Sequence, residues 1–255
     1  MSEARKAATR ALEIDDSLAE AHTSLANVRR LGDFDWAGAE SGFKRAIELN
    51  PDYAPAHQFY AITLSATGRH TEAIAEVRRA LELEPTSAVM IKNVARILYE
   101  ARRYDEAITY YRQALEIDPG FSQAQREIGL AYEQKGMYEE AVSALEKALS
   151  LPGNYFRTTA QADLGHVYAV SGKRGDALRV LAELQELSEQ SYVSPYDIAV
   201  VYAGLGDKEQ ALAWLHKSYE DRSCWLVWLK VDPRLDVLHS DSRFVELERR
   251  MGVAP

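Results

Sequence analysis

Lys92, Asn93, Arg96 and Arg126 are the side chains of this sequence best suited to chemistry. Three cations and an amide can clasp a carboxylate through charge-assisted hydrogen bonds. That carboxylate would be a peptide C-terminus or an acidic side chain. Phe59, Ile62 and Tyr99 fall where they can hold an apolar side chain beside the cations, and Asn27 lies on the same face two repeats before Asn93. The opposite outcome is written in the same stretch. Glu100, Glu127 and Glu133 can pair with Lys92 and Arg126 and leave nothing to bind.

No comparable set points to catalysis. The histidines are His22, His57, His70, His166, His216 and His239. None stands at metal-ligand spacing from another histidine or a cysteine, and neither HExxH nor CxxC occurs. The glycines sit singly, so no loop cradles a phosphate. Cys224 lacks a local nucleophile motif. Glu139–Glu140 reads as a solvated helix start. The expectation is a non-enzyme with no cofactor and no metal.

A repeat must position the candidate residues. Ala11, Ala46, Ala80, Ala114 and Ala148 stand in near-copies of one phrase, ALEID, AIELNP, ALELEP, ALEIDP and ALSLP, at steps of 35, 34, 34 and 34. A second series precedes it: Ala4, Ala39, Ala73, Ala107, Ala141, Ala177 and Ala211. A third is Ala26, Ala61, Ala95, Gly129, Gly165 and Ala199. Small residues at fixed slots mean helix backbones that cross closely. The step of 36 from Ala141 to Ala177 implies an insertion near Gly153–Arg157, and the loop Gly32–Asp35 is one residue longer than its counterparts. Larger apolar columns run between, such as Leu25, Tyr60, Val94, Ile128, Leu164 and Ile198. Gly68, Gly136, Gly172 and Gly206 mark turns within units; Pro51, Pro85 and Pro119 stop helices between units. The period predicts an all-α, right-handed α-solenoid of stacked antiparallel helix pairs. Its inner wall carries Asn27, Phe59, Ile62, Lys92, Asn93, Arg96, Tyr99 and Arg126.

These residues resemble the tetratricopeptide repeat family over nearly the whole chain, with six full repeats at about 19–53, 54–87, 88–121, 122–157, 158–191 and 192–223. The resemblance implies a superhelix whose concave groove binds a protein or peptide segment. Arg29 departs from the pattern, standing where Leu64, Leu98, Tyr132, Tyr168 and Tyr202 stand later; Leu184 and Ser218 replace the final alanine. Chaperone-binding members clasp a C-terminal carboxylate with two cations and two asparagines, an arrangement not reproduced here. The phrases DFDWAGAE, YVSPYDIAVVYAGLGDKEQALAWLHKSYE and WLVWLKVDPRLDVLHSDSRF are similar to a bacterial type of repeat region that follows winged-helix, kinase or cyclase domains. That implies an alternative role, a sensory or regulatory region that binds a small ligand or its own effector domain.

Composition bounds the partners. A net charge of −9 argues against nucleic acid and anionic membrane. One cysteine and no long apolar run or leader fit a cytoplasmic protein. Residues 1–18 read as the second helix of an incomplete repeat, so the chain is expected to be a fragment, monomeric or weakly dimeric through that open end. Residues 19–223 hold the six repeats. Residues 224–255 read as capping helices, with Trp225 and Trp228 buried on the last repeat around Leu212, Leu215 and Tyr219 and a last helix capped by Ser240 or Asp241.

Overall fold

The computed structural model describes residues 2–152 and 155–253. Among these there are helices and turns but no strand. Helix α1 (Ser2–Ile14) stands first. The pairs that follow are α2 (Ala19–Val28) with α3 (Trp36–Leu49), α4 (Ala54–Ala66) with α5 (His70–Leu83), α6 (Ala88–Glu100) with α7 (Tyr104–Ile117), α8 (Ser122–Gln134) with α9 (Tyr138–Ser150), α10 (Arg157–Val170) with α11 (Arg174–Gln190), and α12 (Pro195–Gly204) with α13 (Lys208–Glu220). Two 3-10 turns, Cys224–Trp228 and Pro233–Leu238, and α14 (Ser242–Arg250) complete the chain. Neighbouring pairs stack into an all-α superhelix. No helix of the described residues is long and apolar enough to cross a membrane.

Packing explains the alanine beat. Ala39, Ala73, Ala107, Ala141, Ala177 and Ala211 are fully buried. At Gly129 a Cβ would lie 2.9 Å from Leu145 Cγ, so α8 and α9 meet at a distance only glycine permits. Leu184 and Ser218, at the altered slots, are fully buried as well. The insertion predicted near Gly153–Arg157 includes Gly153 and Asn154, which lie outside the described residues. The longer first loop is resolved as a π turn at Arg29–Asp33, the form a one-residue insertion takes in a helix.

Among the described residues three turns adopt left-handed backbone without glycine: Phe34 (φ 56°), Arg102 (φ 62°) and Arg222 (φ 50°). Each costs roughly 1–2 kcal/mol. All three lie where the chain closes on itself. The Arg222 guanidinium donates to the Gly32 carbonyl at 3.1 Å. Phe34 stacks on Tyr219 at 6.4 Å. Arg102 pairs with Asp236 at 2.8 Å.

The sequence predicts a cap over the last repeat; residues 224–253 also cross to the first. Leu226, Leu229, Leu235, Leu238, Phe244 and Leu247 pack on Leu212 and Leu215. The same cluster takes in Phe34 and Trp36 from the first pair. Trp36 Nε1 donates to the Met251 carbonyl at 2.6 Å. Asp241 caps α14, accepting from the Arg243 N–H at 2.9 Å. At the other end α1 leaves Ala4 exposed, and Ala4, Ala7, Ala11 and Leu18 border an apolar hollow of about 560 Å³.

Candidate binding groove

The first helix of each pair presents one stripe of side chains toward the axis of the superhelix. On α6 that stripe is Lys92, Asn93, Arg96 and Tyr99; on α8 it includes Arg126. The structure buries all five: Lys92 is 6%, Asn93 3%, Arg96 7%, Tyr99 1% and Arg126 2% exposed; the C-terminal segment lies over Arg96 and Arg126 through Trp228 and Trp225. At Arg96 and Arg126 the physical reason is the apolar tail. Leu226, Val227, Leu229, Val231, Leu235 and Leu238 are each at most 4% exposed, and Leu226, Leu229, Leu235 and Leu238 bury against Tyr196 and Val200 of the last repeat. Phe59, Ile62 and Asn27 remain half-buried nearer the start of the superhelix. Asn27 Oδ1 accepts from Arg30 at 2.7 Å.

The cations expected to hold a foreign carboxylate hold the chain's own. Arg96 Nε donates to Glu100 at 2.5 Å, and its guanidinium lies 4.6 Å from the Trp228 ring. Arg126 donates to Asp163 at 2.6 Å and to Glu127 at 3.4 Å, with the Trp225 ring at 5.9 Å. Asp163 also accepts from Arg234 of the tail at 2.5 Å, so one carboxylate joins α8, α10 and the tail. Arg234 forks onto Asp232 at 2.9 and 2.6 Å, and Tyr196 donates to Asp232 at 2.8 Å. Ser65 donates to Glu100 at 2.5 Å. Trp225 and Trp228 are therefore half-buried lids on buried guanidinium groups.

Charge and burial compete at each group. Burial pushes Glu100 up despite Arg96. Burial also opposes ionisation of Glu127, but Lys92, Arg96 and Arg126 outweigh it and hold Glu127 below its usual range. Burial lowers Arg30 to about 10, so it stays a cation at neutral pH. Asp197 is raised to about 7, first by burial and then by Asp163; its partner is the Thr159 hydroxyl at 3.0 Å. A carboxyl that holds its proton longer when folded loses stability as pH rises from about 4 through about 7. Asp197→Asn, which keeps an acceptor for Thr159, is expected to remove that loss. The gain at pH 8 is up to about 4 kcal/mol, from three units at about 1.4 kcal/mol each. Urea midpoints of both proteins at pH 5 and pH 8 check it; equal differences at the two pH values would refute the assignment.

Lys92 is the exception. Among the described residues its ammonium makes no hydrogen bond and no ion pair, although Glu127 is its strongest charged neighbour, and burial lowers its pKa. Asn93 Nδ2 and Arg126 Nε are also buried without partners. Sequence reasoning missed the tail side of the network, Asp232 and Arg234, which Asp163 of α10 ties to Arg126. A signal existed: Asp232 and Arg234 stand, with Lys230 and Asp236, inside the apolar-rich stretch from Trp225 to Leu238, and charges inside such a stretch need partners if it is buried. Among the described residues no group of three or more His, Cys, Asp or Glu is placed to hold a metal ion.

Models of the tetratricopeptide repeat match residues 53–120 and 95–155. Curated proteins yield no significant match. Solved structures share the fold. A chain of the APC/C hetero-tetramer Cut9–Hcn1 superposes with a TM-score of 0.65 at 16% identity, covering 98% of this chain and 45% of that one. PilW, a type IV pilus biogenesis factor, gives 0.61 at 21% identity over 80% of this chain and 93% of its own. PilF of Pseudomonas aeruginosa gives 0.56 at 20% identity over 92% and 98%.

Proposed function

We propose that this chain, which is a tetratricopeptide repeat protein, works as a non-catalytic protein–protein interaction scaffold. The partner segment lies along the inner wall that the tail leaves open, where Phe59 and Ile62 are half-buried. Expelling the tail is not part of this reading. The tail shares one core with the last repeat, and a ligand in its place would leave that core exposed.

The observation that carries the proposal is the Lys92 ammonium, buried with no ion pair one repeat on from Gln58 and beside Arg126. A buried charge without a partner is costly, and a carboxylate on the bound segment would supply the missing charge. Acidic or C-terminal carboxylate peptides remain the preferred class for that reason alone. The lone unpaired thiol of Cys224 suits the cytoplasmic setting included in the same proposal.

Lys92→Met tests it without breaking an ion pair, which Arg96→Ala or Arg126→Ala would do. A library of fluorescent acidic peptides should bind the parent chain weakly and lose affinity with salt. Lys92→Met should weaken the best of them about tenfold, the loss of one charge-assisted contact. Unchanged affinity would remove the carboxylate from the proposal.

A further inference from the structure

We propose that the open cleft between α1, α2 and α3 is a binding site for a short free carboxylate, seated on His22 and Arg29. The site is separate from the groove and stands whether or not Lys92 binds anything.

The second repeat supplies the template. There His57 bridges two acceptors: its Nδ1 meets the Glu76 carboxylate at 2.6 Å, and its Nε2 meets the Pro51 carbonyl at 2.9 Å. The first repeat carries the same ring with the same backbone anchor. His22 Nε2 lies 2.9 Å from the Asp16 carbonyl, the position equivalent to Pro51. The position equivalent to Glu76 is Gly42. The carboxylate is gone, and among the described residues Nδ1 of His22 has no partner.

What remains is a cavity of about 280 Å³, lined by Leu12, His22, Leu25, Arg29, Gly42 and Arg45 among others. The missing side chain is CH₂CH₂COO⁻, so the propionate ion is that side chain in free form. The wall has also changed to suit an anion. Arg29 replaces the leucine or tyrosine of every later repeat, and its guanidinium makes a single hydrogen bond, to the Gly38 carbonyl at 3.2 Å. Its other donors are free for the ligand. Arg45 adds a second cation, tied only to the exposed Glu48 at 3.3 Å. Leu12 and Leu25 offer an apolar side for a short alkyl tail.

Sodium propionate, titrated into the full chain and followed by NMR of the histidine rings, tests the site. Saturable movement of the His22 signals in the millimolar range is expected, within what five non-hydrogen atoms can supply. The His57 signals should stay in place. Arg29→Leu, which installs the residue of the second repeat, should weaken binding at least fivefold with the fold kept. Gly42→Glu should abolish binding by filling the cavity from within. Its Cβ would lie 2.9 Å from Ala26 Cβ, so Arg29→Leu decides if that variant misfolds. Lys92→Met should leave propionate affinity unchanged. Equal movement with sodium chloride, no saturation, or full affinity in Arg29→Leu would overturn the site. Tighter binding of N-acetylglutamate amide than of propionate would overturn a free acid as the ligand.

Discussion

Replacing Arg234 by methionine is expected to destabilise the fold by about 3–5 kcal/mol, the range for breaking a buried ion pair from one side. Arg234 is 8% exposed and holds two carboxylates, Asp232 and Asp163. Methionine conserves much of the volume, so the loss is electrostatic rather than a cavity. Both aspartates stay buried; Asp163 keeps Arg126, but Asp232 keeps only Tyr196 and backbone. Burial opposes the ionisation of Asp232, and the charge and hydrogen bonds of Arg234 win, holding its pKa far below the carboxylate range. The sign follows. A depressed folded pKa gives stability that is present above the unfolded value, near 4, and lost as pH falls. The gap between parent and variant should therefore narrow below about pH 4. Urea unfolding at pH 7 and pH 3.5 measures both quantities. Arg102→Met is the control: its pair with Asp236 is half-exposed, and about 0–1 kcal/mol is expected. A loss below 1 kcal/mol for Arg234→Met would mean that the tail is not seated in the groove.

Phe244→Ala is expected to cost about 3–5 kcal/mol and to loosen both ends of the superhelix. Phe244 has no exposed surface and lies in one cluster with Leu215, Leu235, Leu247 and, from the first repeat, Trp36. Truncation leaves a void beneath α14, next to His239, whose ring centroid is 5.0 Å away. The distinctive readout is remote. Trp36 Nε1 donates to the Met251 carbonyl just past α14, so its hydrogen exchange should speed up in the variant. Lost stability with unchanged exchange at Trp36 would show that the tail caps the last repeat without tying it to the first.

Legibility in the sequence followed range. The fold was readable because its contacts repeat: each alanine slot recurs about every 34 residues, and each copy meets the same neighbour. Even the break in the first loop was visible as one extra residue, found as the π turn at Arg29–Asp33. The groove wall was readable as a stripe, and the pairing of Arg126 with Glu127 was among the outcomes the spacing allowed; the pairing of Arg96 with Glu100 was not among them. What covers the stripe was not readable. Arg102 meets Asp236 across 134 positions and Trp36 meets Met251 across 215; neither contact occurs twice, so no period announces it. The left-handed backbone at Phe34, Arg102 and Arg222 was hidden for a related reason, since those turns lack the glycine that signals such a φ.

By itself, the sequence determined the helix pairs, their close crossings and the residues that face inward, because short-range sterics and a 3.6-residue period act on every copy alike. Only the tertiary structure decided that the inward face is largely filled. Once the pairs stack, the end of the chain returns to its start, and an apolar tail within reach of a wall of buried charges settles there with its own aspartate and arginine as partners.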